Sequence, residues 1–526
     1  MTKYLLKRIL RSACSIVIVV GIVMIMIYSA LDNNLIFAND NNYMKVNGNA
    51  KTAYMNQQWE QYGYLDYVPY ADWLKGLMAE GELDADTYAR VAKFGDKAEK
   101  DDPETAEWIN RFAAEMQADG YEVVRLEAQY KPKTVKYKDG GQPYLFATKN
   151  YSVFARLWNY FTGLIVVDNI HYVQEDIGER GLTFTLYDPA YGGEKFAPAV
   201  IGNGTFYKYL FYTDNQFPYI HQNLVRLNLG LSYSVERGVD VWNSLTNTQG
   251  SYVQSTVTYP TGLVEESADD LHSARYAANS LNNGTAVSKA RYVDDYTITT
   301  TNKSGLSKMG YSFSCGIIAV LLAYLLAVPM GTLMALRKDK FLDKVGTAYI
   351  MFITAVPSLA YIFLFRAIGS SLFNLPTTFD MENPSWMMYV LPIVSLALPS
   401  VANLMKWLRR YMIDQMNSDY VKFARSGGLS EGEIFSKHIL KNAIIPITHG
   451  IPSSVLGALT GAIITERVYV VPGAGNMLTQ AINFYDNGVI VGMVLFYAVL
   501  TVTSVILGDV LMSIIDPRIS FTEKAR

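Results

Sequence analysis

Residues Asp419 to Pro446, DYVKFARSGGLSEGEIFSKHILKNAIIP, form a polar stretch held between two long apolar runs, and their reading decides the fold. From Lys406 to Lys441 there are seven basic residues against four acidic ones. By the positive-inside bias this places the stretch on the cytoplasmic side of a membrane. Its interior predicts two short helices broken at Gly427-Gly428. Ser430 is placed to cap the second, with Glu431 and Glu433 in its first turn, where the helix dipole favours anions. A compact helical finger between two membrane spans is a handle for a soluble partner to grip.

Working outward, uncharged runs long enough to cross a bilayer core flank the finger: Met309–Leu336, Val345–Phe365, Trp386–Met405, Asn442–Thr465 and Gly488–Gly508. Near the start, Ala13–Leu31 is a sixth, preceded by four basic residues in 1–11. A signal peptide is the competing reading of that run. Its apolar core would be shorter, and no small-x-small cleavage site follows. It is read as an uncleaved first helix. The expected inside segments, 1–11, 337–344, 406–441 and 509–526, carry 4, 4, 7 and 3 basic residues, whereas the two short outside loops carry only Arg366 and Arg467. Both termini are therefore expected in the cytoplasm, with residues 32–308 outside.

The 526-residue chain is acidic where it is soluble and basic where it borders lipid. Residues 32–308 hold 25 basic and 35 acidic residues. The two cysteines, Cys14 and Cys315, both lie in apolar runs, so residues 32–308 must fold without disulfides or thiol-bound metal. A cysteine-free external domain fits a Gram-positive-type surface.

Four pieces of the sequence resemble the membrane subunits of binding-protein-dependent ABC importers of the oligopeptide and dipeptide type. Within the finger the matching residues are Asp419-Tyr420, Ala424-Arg425, Gly428-Leu429-Ser430, Lys437-His438 and Asn442-Ala443 through Pro446. Val471-Pro472-Gly473-Ala474-Gly475, Asp516-Pro517-Arg518 and the opening KYLLKRIL also agree. The resemblance implies an all-α polytopic fold of six transmembrane helices, with a large α+β insert between the first and second. The domains are then 1–31 (cytoplasmic tail and first helix), 32–308 (insert) and 309–526 (the other five helices and the coupling loop 406–441).

It also implies a plasma-membrane permease that forms half of a peptide pathway. The partners implied are a second homologous permease, two cytoplasmic ATPases, an extracellular substrate-binding lipoprotein, peptide and the lipid bilayer, without nucleic acid. ATP and Mg would be bound by the ATPases and no cofactor by this chain. The ATPase-coupling residues implied are Tyr420, Ala424, Gly428, Leu429, Ser430, Glu431 and His438. Gly428 would permit a backbone turn and close approach, Leu429 an apolar contact, and Glu431 a contact for a basic partner residue. The same machine with another cargo (nickel chelate, glutathione, oligosaccharide) is one alternative. A membrane-anchored receptor is the other, although a receptor needs no cytoplasmic handle and no five further spans.

In the insert, Pro69–Glu80, Asp84–Lys97 and Pro103–Asp119 have helical periodicity, and Tyr121–Leu126 reads as a strand. Twenty-six tyrosines stand in residues 32–308. They fit either a surface for peptide or protein, or the packing of a small α+β domain. Val153–Asp168 resembles the family segment that lies along the outer membrane face, and Asn223–Val239 its Gly-x-Ser piece. Residues 32–150 and 169–222 then read as additions.

No G-x-x-x-x-G-K-[ST], H-E-x-x-H or paired Cys/His spacing occurs, so the chain reads as a non-enzyme. Prolines interrupt the spans at 329, 357, 392, 399 and 452. Polar residues near them, among them Ser395 and Ser454, either line a pathway or bridge helices. The pathway residues expected are Pro357, Ser358, Ser400, Asn403, Ser453 and Glu466. Glu466 beside Arg467 suggests an ion pair or an interfacial anchor.

Overall fold

A computed structural model describes residues 2–515, except 31, 96–98, 100–101, 129, 132–135, 138–142, 168, 171, 173–177, 206–207, 215–216, 221–223, 247–254, 259–263, 268–285, 288–297, 301–305 and 382–384. The Asp516-Pro517-Arg518 match lies outside the described residues.

Helix α1 (Thr2–Ala30) opens the chain and leads into a helical and stranded region. There α2 (Asn49–Gln61), β1 (Leu65–Pro69), α3 (Tyr70–Glu80), α4 (Ala85–Val91), α5 (Pro103–Ala118), β2 (Glu122–Leu126) and β3 (Tyr144–Asn150) make one unit. Its antiparallel sheet has the order β1-β3-β2. Tyr70, Leu74 and Leu77 of α3 and Ile109, Phe112 and Met116 of α5 repeat at helical spacing and pack on Leu145 and Ala147 of β3. Asp102 caps α5, and Pro103 occupies its first turn. The helix expected from Asp84 to Lys97 stops at Val91, with Ala92 as its C-cap, and Gly95 beyond it adopts φ +117, outside the helical region.

The next elements are α6 (Val153–Thr162), β4 (Ile165–Val167), a four-stranded meander of β5 (Gly181–Tyr187), β6 (Phe196–Asn203), β7 (Tyr209–Asp214) and β8 (Phe217–Ile220), then β9 (Val225–Leu227) and α7 (Val241–Thr246). Leu157, Tyr160 and Phe161 of α6 pack on the α1 face that carries Val20 and Met24. Helix α6, and Leu229 and Val235 further on, thus pack against membrane-type helices, and β5–β8 come between them in sequence.

The C-terminal part comprises α8 (Lys308–Leu336), α9 (Phe341–Ala355), α10 (Ser358–Phe373), α11 (Val390–Met416), α12 (Asp419–Ser426), α13 (Glu431–His449), α14 (Ile451–Tyr469), α15 (Ala474–Asn483) and α16 (Asn487–Ile515). Among the described residues four helices, in α1, α8, α11 and α16, are long and apolar enough to cross a membrane alone; α9–α10 and α13–α14 raise the number to six if each bent pair is one span. The runs expected as straight third and fifth spans are therefore broken. The first bends by 115° where Val356, at φ −87 and ψ 131, precedes Pro357. Proline disfavours the helical conformation in the residue before it, and Val356 takes the extended one, so Pro357 stands at the elbow and not inside a helix. The second bends by 45° at Gly450, just before Pro452. Pro329 and Pro399 lie within continuous helices. Close approach of α8 and α11 is permitted by Gly331, where an added Cβ would meet Met405 Cα at 3.4 Å.

A strap spanning 228–246 joins the stranded region to this helical part. Asp486, fully buried at the start of α16, accepts four hydrogen bonds on Oδ2: from Ser232 Oγ (2.7 Å), Tyr233 N (2.9 Å), Ser234 N (2.9 Å) and Val235 N (3.1 Å). Successive amides folded around one carboxylate form an anion nest. Gly488 and Gly492 leave α16 bare where the backbone of Leu231 and Leu229 lies on it. On its other side the strap is clasped by Arg237, which donates to Asp40 Oδ1 (2.6 Å) and Gln58 Oε1 (2.8 Å).

Candidate functional site

The finger is built by local signals. Helix α12 buries Val421 and Ala424 against Leu408 and Met412 of α11 and Ile434 and Ile439 of α13. Gly428 N donates to Arg425 O (3.1 Å) and Leu429 N to Ala424 O (3.3 Å), with Gly428 at φ +83. That is a Schellman stop, whose left-handed residue is usually glycine. A Cβ added to Gly428 would meet no atom within 4 Å, so within this chain only its backbone demands glycine.

Ser430 and Glu433 form a capping box at the start of α13. Glu431 is held by Arg425 through a fork of 2.6 and 3.0 Å, so it braces the finger across the glycine turn. Tyr420 is a tie point: its hydroxyl lies 2.7 Å from Gln415 Oε1 and 3.3 Å from the His438 carbonyl, and accepts from Asn442 Nδ2 at 3.1 Å. His438 sits in the widened π turn Ile434–Leu440. Phe423, absent from the coupling residues expected on sequence, stands 80% exposed on the finger. The signal that marks it is an aromatic residue on the face opposite Val421 and Ala424. With Leu429, 40% exposed, it makes an apolar tip beside Gly428.

The root of the finger is pinned. Arg409 donates to both carboxylate oxygens of Asp343 (2.6 and 2.7 Å), joining α11 to α9. At the α13–α14 bend His449 Nε2 lies 3.5 Å from Asp509 Oδ1, and Arg8 of α1 reaches the same carboxylate.

The residues expected along a pathway fall in three places, the elbow at Pro357-Ser358, α11 (Ser400, Asn403) and α14 (Ser453, Glu466), and among the described residues no hydrogen bond joins one place to another. Pro357 is exposed at the elbow, Ser358 begins α10, and Ser400 back-bonds to Leu396 O (3.4 Å). Asn403 is exposed on α11, and Ser453 on α14 shares an exposed face with Gly457 and Thr460. Ser395 and Ser454 bridge helices, to Tyr469 (2.9 Å) and Tyr324 (3.4 Å).

Glu466 has a different setting from the ion pair or anchor raised by Arg467. Its buried carboxylate accepts from Ser312 Oγ (2.6 Å) and Asn476 N (2.9 Å), and Ser312 Oγ accepts from Ala474 N (2.9 Å). The first amides of α15 are thereby satisfied. The Val471–Gly475 motif follows from this: a Cβ on Gly473 would strike the carboxylate, and one on Gly475 would approach Ile463 Cα to 2.7 Å.

Residues 327–521 match the family model described as "Binding-protein-dependent transport system inner membrane component". The oligopeptide transport system permease protein AmiC of Streptococcus pneumoniae is 35% identical over 530 residues, spanning 100% of this chain and 99% of that protein. The dipeptide transport system permease protein DppB of Bacillus subtilis is 31% identical over 216 residues, which are 40% of this chain and 68% of DppB. Among solved structures, an amino acid ABC transporter crystallised with histidines aligns with 18% identity and a TM-score of 0.31, over 40% of this chain and 92% of that one.

Proposed function

The chain belongs to the binding-protein-dependent transport system inner membrane component family and is a membrane subunit of a peptide importer; from that premise we propose that it couples ATP hydrolysis to transport through the finger at 419–446. The observation that carries this is the finger itself: a braced helix–Schellman–capping-box unit, rooted by Arg409–Asp343, that offers Phe423, Gly428 and Leu429 to a partner. Two cytoplasmic ATPases grip this tip and its counterpart on a second, homologous permease. A substrate-binding lipoprotein delivers peptide from outside, and the two permeases enclose its path. ATP and Mg stay with the ATPases; this chain performs no covalent chemistry.

The topology proposed is six spans, with α9–α10 and α13–α14 each counted as one, both termini in the cytoplasm, and residues 32–308 outside a Gram-positive cell. The boundaries 1–31, 32–308 and 309–526 follow from it. The DppB alignment takes in 40% of the chain and the AmiC alignment all of it, which supports reading 32–308 as an addition to a common core. The test is reconstitution of the complete complex in proteoliposomes. ATP and loaded binding protein should drive accumulation of labelled peptide, and the tagged chain should retain both ATPases on purification. Retention of neither, with no uptake, would contradict the proposal.

A further inference from the structure

Helix α11 packs against α8, α9, α10, α13 and α14. From Leu391 to Ala402 it has no exposed residue. Below that it opens on one side only. The exposed residues are Asn403, Lys406, Trp407, Arg410 and Asp414, at spacings of 3, 4, 7 and 11 from the first, which is a single helical stripe. Every one is polar or amphipathic. Exposed stripes on lipid-type helices differ: α8 presents Leu321, Leu325 and Leu336. Lys406 and Arg410 flank the Trp407 ring, 6.0 and 5.5 Å from its centroid, and Tyr411 stacks on it at 5.7 Å. The buried side of the same turns, Met405, Leu408 and Met412, is held by neighbouring helices, and Arg409 is committed to Asp343. On the topology proposed above, α11 is enclosed by its own chain in its outer half and bare in its inner half, where the exposed charges are Lys406, Arg410 and, one turn further on, Asp414.

We propose that the Lys406–Trp407–Arg410 stripe is an exit-side subsite for the cargo, taking the C-terminal carboxylate of a peptide between the two cations with the indole beneath it. This rests on the peptide-importer reading. Charge complementarity selects the occupant: two cations one turn apart suit a carboxylate, and the indole face tolerates whatever side chain precedes it. An inner-leaflet anionic lipid, or an acidic residue of an ATPase, would use the same cations and is separated by the test.

The experiment uses the full complex in proteoliposomes, with one labelled peptide as free acid and as C-terminal amide. Wild type should take up the acid in preference to the amide. In the double variant Lys406→Gln/Arg410→Gln the acid-to-amide ratio of kcat/KM should fall by about tenfold, the scale of a lost charge-assisted hydrogen bond. Trp407→Phe should keep the ratio. An unchanged ratio in the double variant overturns the subsite. A fall in both uptakes that disappears when anionic lipid is omitted assigns the cations to lipid and overturns it too. Loss of ATPase from the purified variant assigns them to the ATPase and likewise overturns the subsite. If wild type accumulates neither peptide, it is the importer reading that fails.

Discussion

Replacing Asp486 by Asn should unfasten the strap at 228–246 without unfolding the protein. In the native chain one carboxylate oxygen accepts from a hydroxyl and three successive amides, at 2.7 to 3.1 Å, while the other faces Val489 N at 3.2 Å. An amide side chain keeps one acceptor and turns a donor against the other group. Hydrogen bonds to a charged group contribute about 1.5–3 kcal/mol and neutral ones about 0.5–1.5. Four bonds weakened together, allowing for non-additivity, give a loss of roughly 2–4 kcal/mol. At about 1.4 kcal/mol per decade, that is roughly a 30- to 1,000-fold gain in local opening. The assay is hydrogen exchange of the 231–236 segment in the purified complex. Exchange should accelerate by at least about 30-fold there, while β3 at Tyr144–Asn150 keeps its protection. Unchanged protection at 231–236 would refute the nest as the fastening.

Further outcomes are expected elsewhere. Asp40 is partly buried, which raises its pKa, but Arg237, Tyr54 and two backbone amides outweigh that and hold it below the ordinary carboxylate range. Its clasp on the strap is therefore fully present above the unfolded value of about 3.9 and is lost only as pH falls below that. Exchange at 237–240, corrected for intrinsic rates, should match at pH 7 and 5 and rise below about 4; a rise between 7 and 5 would contradict the sign. Gly475→Ala should lower thermal stability, because overpacking against Ile463 costs about 1–3 kcal/mol; thermal unfolding of the detergent-solubilised complex reads it, and an unaltered midpoint argues against the Glu466 cradle. With Cys14 and Cys315 replaced, a cysteine at exposed Glu194 should react with impermeant reagent in intact cells, and one at exposed Ser426 only after lysis. Reaction of Ser426 in intact cells would reverse the topology.

What was legible in the sequence was local. Gly427-Gly428 with Ser430 two residues on predicts the stop and restart of the finger, because a Schellman turn and a capping box are made from residues within a few positions. The amphipathic faces of α3 and α5 are readable for the same reason. The carboxylates were not: Glu466 finds Ser312 at a separation of 154 residues, and Asp486 finds Ser232 at 254. Hydropathy also hides bends, since an apolar run reads alike straight or folded by 115° at Pro357. Five of the insert tyrosines, Tyr64, Tyr70, Tyr209, Tyr212 and Tyr233, are buried and serve packing, and Arg156 lies over the Tyr28 and Tyr64 rings at 5.0 and 4.2 Å.

If force from ATP enters this chain through the finger, Gly428→Asp should uncouple transport while leaving the protein folded. Within the chain the change costs about 1 kcal/mol for a side chain at φ +83, with open space around it. Expression and membrane insertion should therefore persist. In a complex, a charged side chain at the tip between Phe423 and Leu429 should block the partner's close approach. ATP-driven uptake of labelled peptide should fall to background, with ATPases either lost on purification or unresponsive to loaded binding protein. Wild-type uptake and wild-type stimulation in the variant would contradict coupling through the finger.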